Sequence, residues 1–393
     1  MLTTARVLSD RNARLYLGGV FVSGFGDSAM ALAAGVWVKT RTGSDALAGI
    51  VNVGMWLALL LGPWLGGVAD RVDRRRLLVL VNLALGAVLA TVSTGHVWLL
   101  FAALTLVGVG GVLIDAAEAA LLPSVVPVEL RGDFNGLVRT VIEGMKLIAP
   151  AAGAGLFTWL GGPAVAWLNA LTFAAAGAAF LLLRVPPAPA APAAPPAPAA
   201  PAAPAGAVAV QEPVPVLRDR TLRALILAAA AAMVASSWSS SATYALLDAL
   251  HRPPACAGVL TPAQGLGSVV CGLLAGPLMR RLGEGGFASL GLALVAAGAL
   301  ARATPWTGLV LAGCVLMGLG LPAPLVAAIT AVQRIVPQER LGRAAATANS
   351  LMFVPAGPAL LVGGLAVAVL DYRVQTVAAA ALAIGAAGAL ARR

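Results

Sequence analysis

The sequence predicts an all-α membrane protein of twelve transmembrane helices, arranged as two pseudo-symmetric six-helix bundles. Three observations carry that expectation. Of 393 residues, 60% are hydrophobic and 11% charged, against roughly 25% charged in an average soluble domain. Apolar runs recur at about the 20 residues that a helix needs to cross a hydrocarbon core roughly 30 Å thick. A single charge-free, proline-rich stretch divides those runs into two sets of six. Mean hydropathy is +0.92, which excludes a soluble multidomain enzyme and a disordered chain alike.

The spans fall near residues 15–38, 46–69, 77–95, 97–121, 135–159 and 163–183 in the first set. The second set lies near 222–248, 256–279, 287–303, 306–333, 345–369 and 374–391. Span 1 follows Arg6, Arg11 and Arg14 as a signal peptide would. Its apolar stretch is too long for one and contains Asp27, so it reads as a retained helix. Net charge is +10, and 24 of the 26 bases are arginine. They cluster between spans, which argues against nucleic-acid binding and for the positive-inside rule. With both termini in the cytoplasm, 19 bases lie inside and five outside: Lys39, Arg41, Arg252, Arg302 and Arg373. That asymmetry predicts a multi-pass protein of the plasma or inner membrane with both ends cytoplasmic; a monomer is expected.

Residues 1–184 and 220–393 form the two halves, joined by a cytoplasmic Ala/Pro-rich linker over 185–219. Within it, residues 186–205 hold nine prolines and no charge, a composition that favours an extended polyproline spacer. A shift of 210 residues aligns the halves: Gly62 and Gly66 fall on Gly272 and Gly276, and Arg71 on Arg281. Val126-Pro127-Val128-Glu129 falls on Val336-Pro337-Gln338-Glu339. Glycine matches are common in a chain with 45 glycines; a Val-Pro-x-Glu match at the same shift is not. The halves read as a duplicated unit.

Loop 2–3 reads Gly66-Gly67-Val68-Ala69-Asp70-Arg71-Val72-Asp73-Arg74-Arg75-Arg76. This resembles the signature of the major facilitator superfamily, and its D-R-x-D-R-R form resembles the exporter branch with siderophore and macrolide efflux permeases. Asp73 stands where the family usually has glycine. The resemblance continues through Ala120-Leu121-Leu122-Pro123 after span 4 and Trp167-Leu168-Asn169-Ala170 in span 6. It implies a transporter in which Asp70, with Arg71 and Arg74 as partners and Gly66 in the turn, latches the halves on the inner side. A carboxylate beside the N-terminus of span 11, near Ala344, gains about 0.3–1 kcal/mol from the helix dipole. The second half holds Arg280-Arg281-Leu282-Gly283 in the same slot, without the acid.

Charges inside a membrane are expensive and mark function by default. Asp27 lies mid-span just after Gly24 and Gly26 and is expected to face the cavity between the halves, as a proton carrier or as an acid bonded to a neighbouring helix. Span 5 carries Arg139, Glu143 and Lys146 on one face, either a self-neutralised packing cluster or a charge switch. Asp115 and Glu118 close span 4, where they pair with Arg131 or Arg139 or line the entrance. Span 7 offers hydroxyls from Ser236 to Thr243 with Trp238 and Tyr244, suited to an amphipathic organic substrate or to interhelical bonding. Ala149-Pro150-Ala151-Ala152-Gly153-Ala154 is a partial match to an antiporter element of the resembled family.

No GxxxxGK[ST] loop occurs, Gly108-x-Gly110 and Gly265-x-Gly267 lack a third glycine, and His96 and His251 stand alone. Cys256, Cys271 and Cys314 have no metal-ligand spacing and read as small core residues. The sequence therefore predicts no enzyme, metal or cofactor. It predicts a secondary transporter that exports a hydrophobic or amphipathic small molecule against protons. An uptake permease and a non-transporting scaffold that docks partners on its proline linker are the alternatives.

Overall fold

The structure is a computed structural model that describes residues 9–62, 65, 72–93, 95–125, 131–184, 218–336 and 338–392. Every regular element among the described residues is helical. The first half comprises α1 (Arg11–Thr42), the short α2 (Asp45–Ile50) and α3 (Val53–Ala58), α4 (Arg74–Val92), α5 (Val97–Val125) and α6 (Arg131–Leu181). The second comprises α7 (Arg220–Ser241), α8 (Thr243–Ala249), α9 (Ala257–Arg302), α10 (Thr307–Gly320), α11 (Pro322–Ile335), α12 (Gln338–Phe353), α13 (Ala356–Ala366) and α14 (Tyr372–Ala391).

Nine of these helical stretches are long and apolar enough to cross a membrane, and Asp45–Leu61 is a shorter apolar one. The expected twelve follow once two long helices are divided. Gly161, at φ 78°, breaks α6, and Gly283, at φ 70°, breaks α9, so each supplies two antiparallel spans. Only glycine takes that left-handed geometry without a steric penalty. Gly283 occupies the slot equivalent to Asp73, and the first half solves the same turn differently. Asp73 keeps an ordinary φ of −56°, and its carboxylate accepts from the Arg76 backbone N–H at 2.8 Å, capping α4. An aspartate N-cap in place of a positive-φ glycine explains how the family's usual turn residue is dispensed with.

The helix ends sort into two layers. Near the N-terminus of α1, Arg11 Nη1 donates to Leu182 O at 3.0 Å and Asn12 Nδ2 to Arg184 O at 2.8 Å. Arg75, at the start of α4, donates to Phe180 O at 3.3 Å. Tyr16, Phe134 and Phe180 form edge-to-face pairs at 5.3 and 5.8 Å beneath them, a geometry worth about 0.5–1.5 kcal/mol per pair beyond burial. In the second half, Leu390 of α14 lies with Arg220 of α7 and Glu284 of α9. We call this the terminal end and its opposite the far end.

The apolar cores show where the halves meet. The core around Tyr16 belongs to the first half, and two others belong to the second. A fourth is shared: Trp37, Val38, Ala48, Val51 and Leu100 from one side join Tyr244, Leu246, Leu247, Ala257 and Leu260 from the other. All of these lie toward the far end. There α2 and α3 pack on α13, and α6 packs on α9, with glycines at the crossings. A Cβ on Gly49 would stand 2.6 Å from the Ser241 carbonyl oxygen, and one on Gly258 2.6 Å from Ala154 Cβ. Such close approach needs small residues on both sides. At the terminal end α12 packs on α7, α11 and α13 of its own half. The described molecule is thus held shut at the far end.

Candidate functional site

The far-end closure carries a charge cluster that the loop count treated as topogenic. Gly43 ends α1 in the left-handed conformation, and Ser44 caps α2 by accepting from Leu47 N at 3.2 Å. These turns bring Asp45 within 2.8 Å of the Lys39 ammonium. Lys39 also donates to Gly43 O at 3.1 Å and to the Asp248 carboxylate of α8. Lys39, only 9% exposed, thus makes two hydrogen bonds and a further ion pair. The Asp248 contact joins residues 209 apart and crosses from one half to the other. One turn deeper, Gly35 of α1 admits the Tyr244 hydroxyl of α8 where a Cβ would clash.

Behind this closure lies a cavity of about 260 Å³ between the halves. Its first-half wall is Ala31, Leu32, Asn52 and Trp56; its second-half wall includes Ser240, Thr243, Tyr244, Leu260, Thr261, Gln264 and Arg302. Asn52 Nδ2 donates to Ala31 O at 2.8 Å, which leaves its Oδ1 without a partner. Gln264 Nε2 reaches Ser236 Oγ at 3.4 Å. Arg302, counted with the outer-loop bases by sequence, is in fact 2% exposed at the end of α9. The break between α7 and α8 explains why: Arg302 Nη2 donates to Ser239 O at 3.2 Å and to Thr243 Oγ1 at 3.0 Å beside it. The hydroxyls of span 7 therefore divide: Ser240 and Thr243 line the cavity, while Ser239 is buried.

Asp27, Asp115 and Glu118 are not among the residues that line that cavity. Asp27 of α1 is half-buried, and its Oδ1 accepts from Asn169 Nδ2 of α6 at 3.2 Å. Thr172 in turn donates to Asn169 O at 2.8 Å and to its Oδ1 at 3.0 Å, so the Asn169 amide is oriented to donate. Gly26 permits this approach, because a Cβ there would strike Thr172 and Asn169. Asp115 is exposed on α5. Asp27 is thus hydrogen-bonded to a neighbouring helix of its own half. Arg139, Glu143 and Lys146 belong to α6, but their side chains lie outside the described residues, as does any pairing of Asp115 or Glu118 with Arg131 or Arg139. Gly66, Asp70 and Arg71 also lie outside them; Arg74 is the exposed first residue of α4.

Among the described residues no group of three or more His, Cys, Asp or Glu is placed to hold a metal. A more open depression of about 720 Å³, lined by Arg220, Arg223 and Glu284, sits within the second half at the terminal end. Sequence reasoning missed Asp45, Asp248, Asn52 and Gln264 and misplaced the role of Lys39 and Arg302. A signal did exist for the two bases. They are among five that break the positive-inside asymmetry, and exceptions to a topogenic rule invite a local explanation.

Comparison with known proteins agrees with this architecture. The sequence profile of the Major Facilitator Superfamily matches residues 16–246. A lysophospholipid transporter, LplT, of Cronobacter sakazakii (strain ATCC BAA-894) is 30% identical over 166 residues, 42% of this chain; the match spans 41% of that relative. In structure, the nucleoside transporter NupG (D323A mutant) superposes with a TM-score of 0.76 at 11% identity, covering 97% of this chain and 99% of that one. A bacterial homologue of the iron transporter ferroportin, in an inward-facing state, gives 0.71 at 20% identity over 98% and 99%. A bacterial homologue of the lysosomal transporter Spinster, inward-facing and unoccupied, gives 0.72 at 16% over 97% and 98%. At these identities the structures speak for the fold, while the profile match covers more than half of the chain. The chain belongs to the Major Facilitator Superfamily and is a multi-pass membrane protein.

Proposed function

We propose that this protein exports an amphipathic small molecule in exchange for protons by alternating access. One observation carries the reading: the halves share a core and a cross-half ion pair at the far end, with a cavity directly behind, while α12 at the terminal end packs in its own half. A structure closed on one side of a central cavity is one of the two states that alternation requires. Nineteen bases at the terminal side against five support placing that side in the cytoplasm, which makes the closed end external. The inner latch at Asp70, with Arg71, Arg74 and Gly66, then belongs to the opposite state. Asp27 is the favoured proton site, for it is a half-buried acid within a span, on the helix that carries Lys39; Glu143 with Arg139 and Lys146 is the second. A cavity with both hydroxyl and leucine walls suits an amphipathic substrate, the class to which a lysophospholipid belongs.

The test is transport in proteoliposomes under an imposed pH gradient, with wild type and Asp27→Asn. The wild type should move protons when an amphipathic substrate is supplied, and Asp27→Asn should uncouple the two. Undiminished proton movement in Asp27→Asn removes that residue from the coupling. Absence of substrate movement across a broad amphiphile panel refutes the transport reading.

A further inference from the structure

We infer that the far-end cavity receives the anionic group of the substrate, a carboxylate or phosphate, and that Arg302 holds it. This deepens the transporter reading and rests on it. A guanidinium stays protonated in any protein environment, so Arg302 brings a full positive charge to a site that is 2% exposed. Buried charges are ordinarily paired, because an unpaired one forfeits its hydration without compensation. Among the described residues Arg302 has no such pair. Its bonds go to neutral groups: the Ser239 carbonyl, the Thr243 hydroxyl and, at 3.5 Å, Cys314 Sγ. Its Nε has no partner. The far-end acids are committed elsewhere, Asp45 and Asp248 to Lys39 and Asp371 to the backbone of Arg373.

The walls complete an anion seat. Gln264 makes only a long bond to Ser236 and can turn its amide to a ligand, and the Tyr244 hydroxyl adds a second neutral donor. Leu32, Leu260 and Trp56 offer apolar surface beside them. About 260 Å³ is near the lower bound of small-molecule pockets, roughly 300 Å³. That volume fits a head group and its first carbons better than a whole amphiphile. A structural role for Arg302, tying the α7 break to α9, predicts no preference for anions.

The experiment uses the full chain in nanodiscs and four probes with one twelve-carbon tail: dodecanoate, dodecyl phosphate, dodecyltrimethylammonium and dodecyl maltoside. Radiolabelled dodecanoate and dodecyl phosphate report binding directly, and the other two compete. Acetate and inorganic phosphate, tested alone, separate a lipid-like ligand from a free anion. The wild type should bind at least one anionic probe, with little competition from the cation or the neutral glycoside. Arg302→Met should weaken that binding at least about tenfold, the scale of a lost charged hydrogen bond. Leu260→Trp, which fills the cavity and keeps the charge, should do the same and serves if Arg302→Met does not fold. Equal competition by all four head groups, or anion affinity within about twofold of wild type in both variants, overturns the assignment. Anion binding that needs Arg302 without movement across proteoliposomes keeps the site and removes the transporter reading. Movement of neutral or cationic amphiphiles that survives Arg302→Met keeps the transporter and overturns the site.

Discussion

Neutralising Lys39 should release the far end, and the size of the effect follows from how its two ion pairs divide between the halves. Lys39 and Asp45 belong to the same half, so their 2.8 Å pair persists whichever end is open. Only the pair with Asp248 depends on closure, and Asp248 is 48% exposed. An ion pair with one partner so accessible contributes at most about 1 kcal/mol, so Asp248→Asn should shift the balance toward opening by about two- to fivefold. Lys39→Met removes the same attraction and also leaves Asp45 and Asp248, the two carboxylates that share its ammonium, facing each other across the closure. That repulsion brings the cost to about 1–2 kcal/mol, roughly a five- to thirtyfold shift. The native thiol of Cys256 reports it. Cys256 sits in a tight turn that packs on α1 and α6 of the other half, whereas Cys271 and Cys314 are buried within helices. An impermeant maleimide, with the modified residue identified by mass spectrometry, should label Cys256 fastest in Lys39→Met. Adding Asp248→Asn to Lys39→Met should slow labelling again, because the repulsion disappears. A labelling rate unchanged by Lys39→Met, or a double variant faster than Lys39→Met, refutes the latch.

Three further outcomes follow from the same geometry. Gly49→Val places branched carbons against the Ser241 carbonyl and should cost the closed state about 1–3 kcal/mol, raising Cys256 labelling without any change of charge. Asn169→Ala removes the donor to Asp27 and the acceptor of Thr172 in a buried site. It should lower stability by about 1–3 kcal/mol, read as a fall in thermal midpoint, whereas Asp27→Asn keeps an acceptor there and should cost less. Glu284→Gln breaks a bidentate pair with Arg334, whose side chain is 60% exposed. Stability should change by less than about 1 kcal/mol, and a larger fall in thermal midpoint means that the α9 turn depends on that pair.

The spans were legible because burial in lipid demands long apolar runs, and that demand is local. Even the divisions inside α6 and α9 had a sequence mark, since a glycine stands at each break. The Asp27 site was half legible. Its depth and its bonding to a neighbouring helix could be expected from an acid in an apolar run, but the partner, Asn169, was visible only as part of a family motif. The far-end cluster was not legible at all. Lys39 and Asp248 look like ordinary span-end charges, and their pairing depends on how two halves meet, which no window of sequence contains. Arg302 misled for the complementary reason. A base at a span end normally reaches solvent, and only the interruption between α7 and α8, with the carbonyl it exposes, draws this one inward.

The internal repeat gives the far-end latch a further meaning. A shift of 210 residues superposes the halves in sequence, and Lys39 meets a residue 209 positions away. Gly35 and Tyr244 are separated by the same 209, and each pair advances four residues along its helix. Side chains of spans 1 and 7 therefore meet at two nearly equivalent positions, as happens near a two-fold axis. At that shift Lys39 falls on Ala249 and Asp248 on Val38, so the base and the acid each belong to one copy alone, and they meet where the halves must part for the far end to open. Asp27 lies twelve residues before Lys39 on the same uninterrupted helix, about 18 Å away at 1.5 Å per residue. Its hydrogen bond is made within its own half and that of Lys39 with the other half. A rigid helix holding one contact of each kind can transmit a change at one to the other, provided that both contacts discriminate between the same two states.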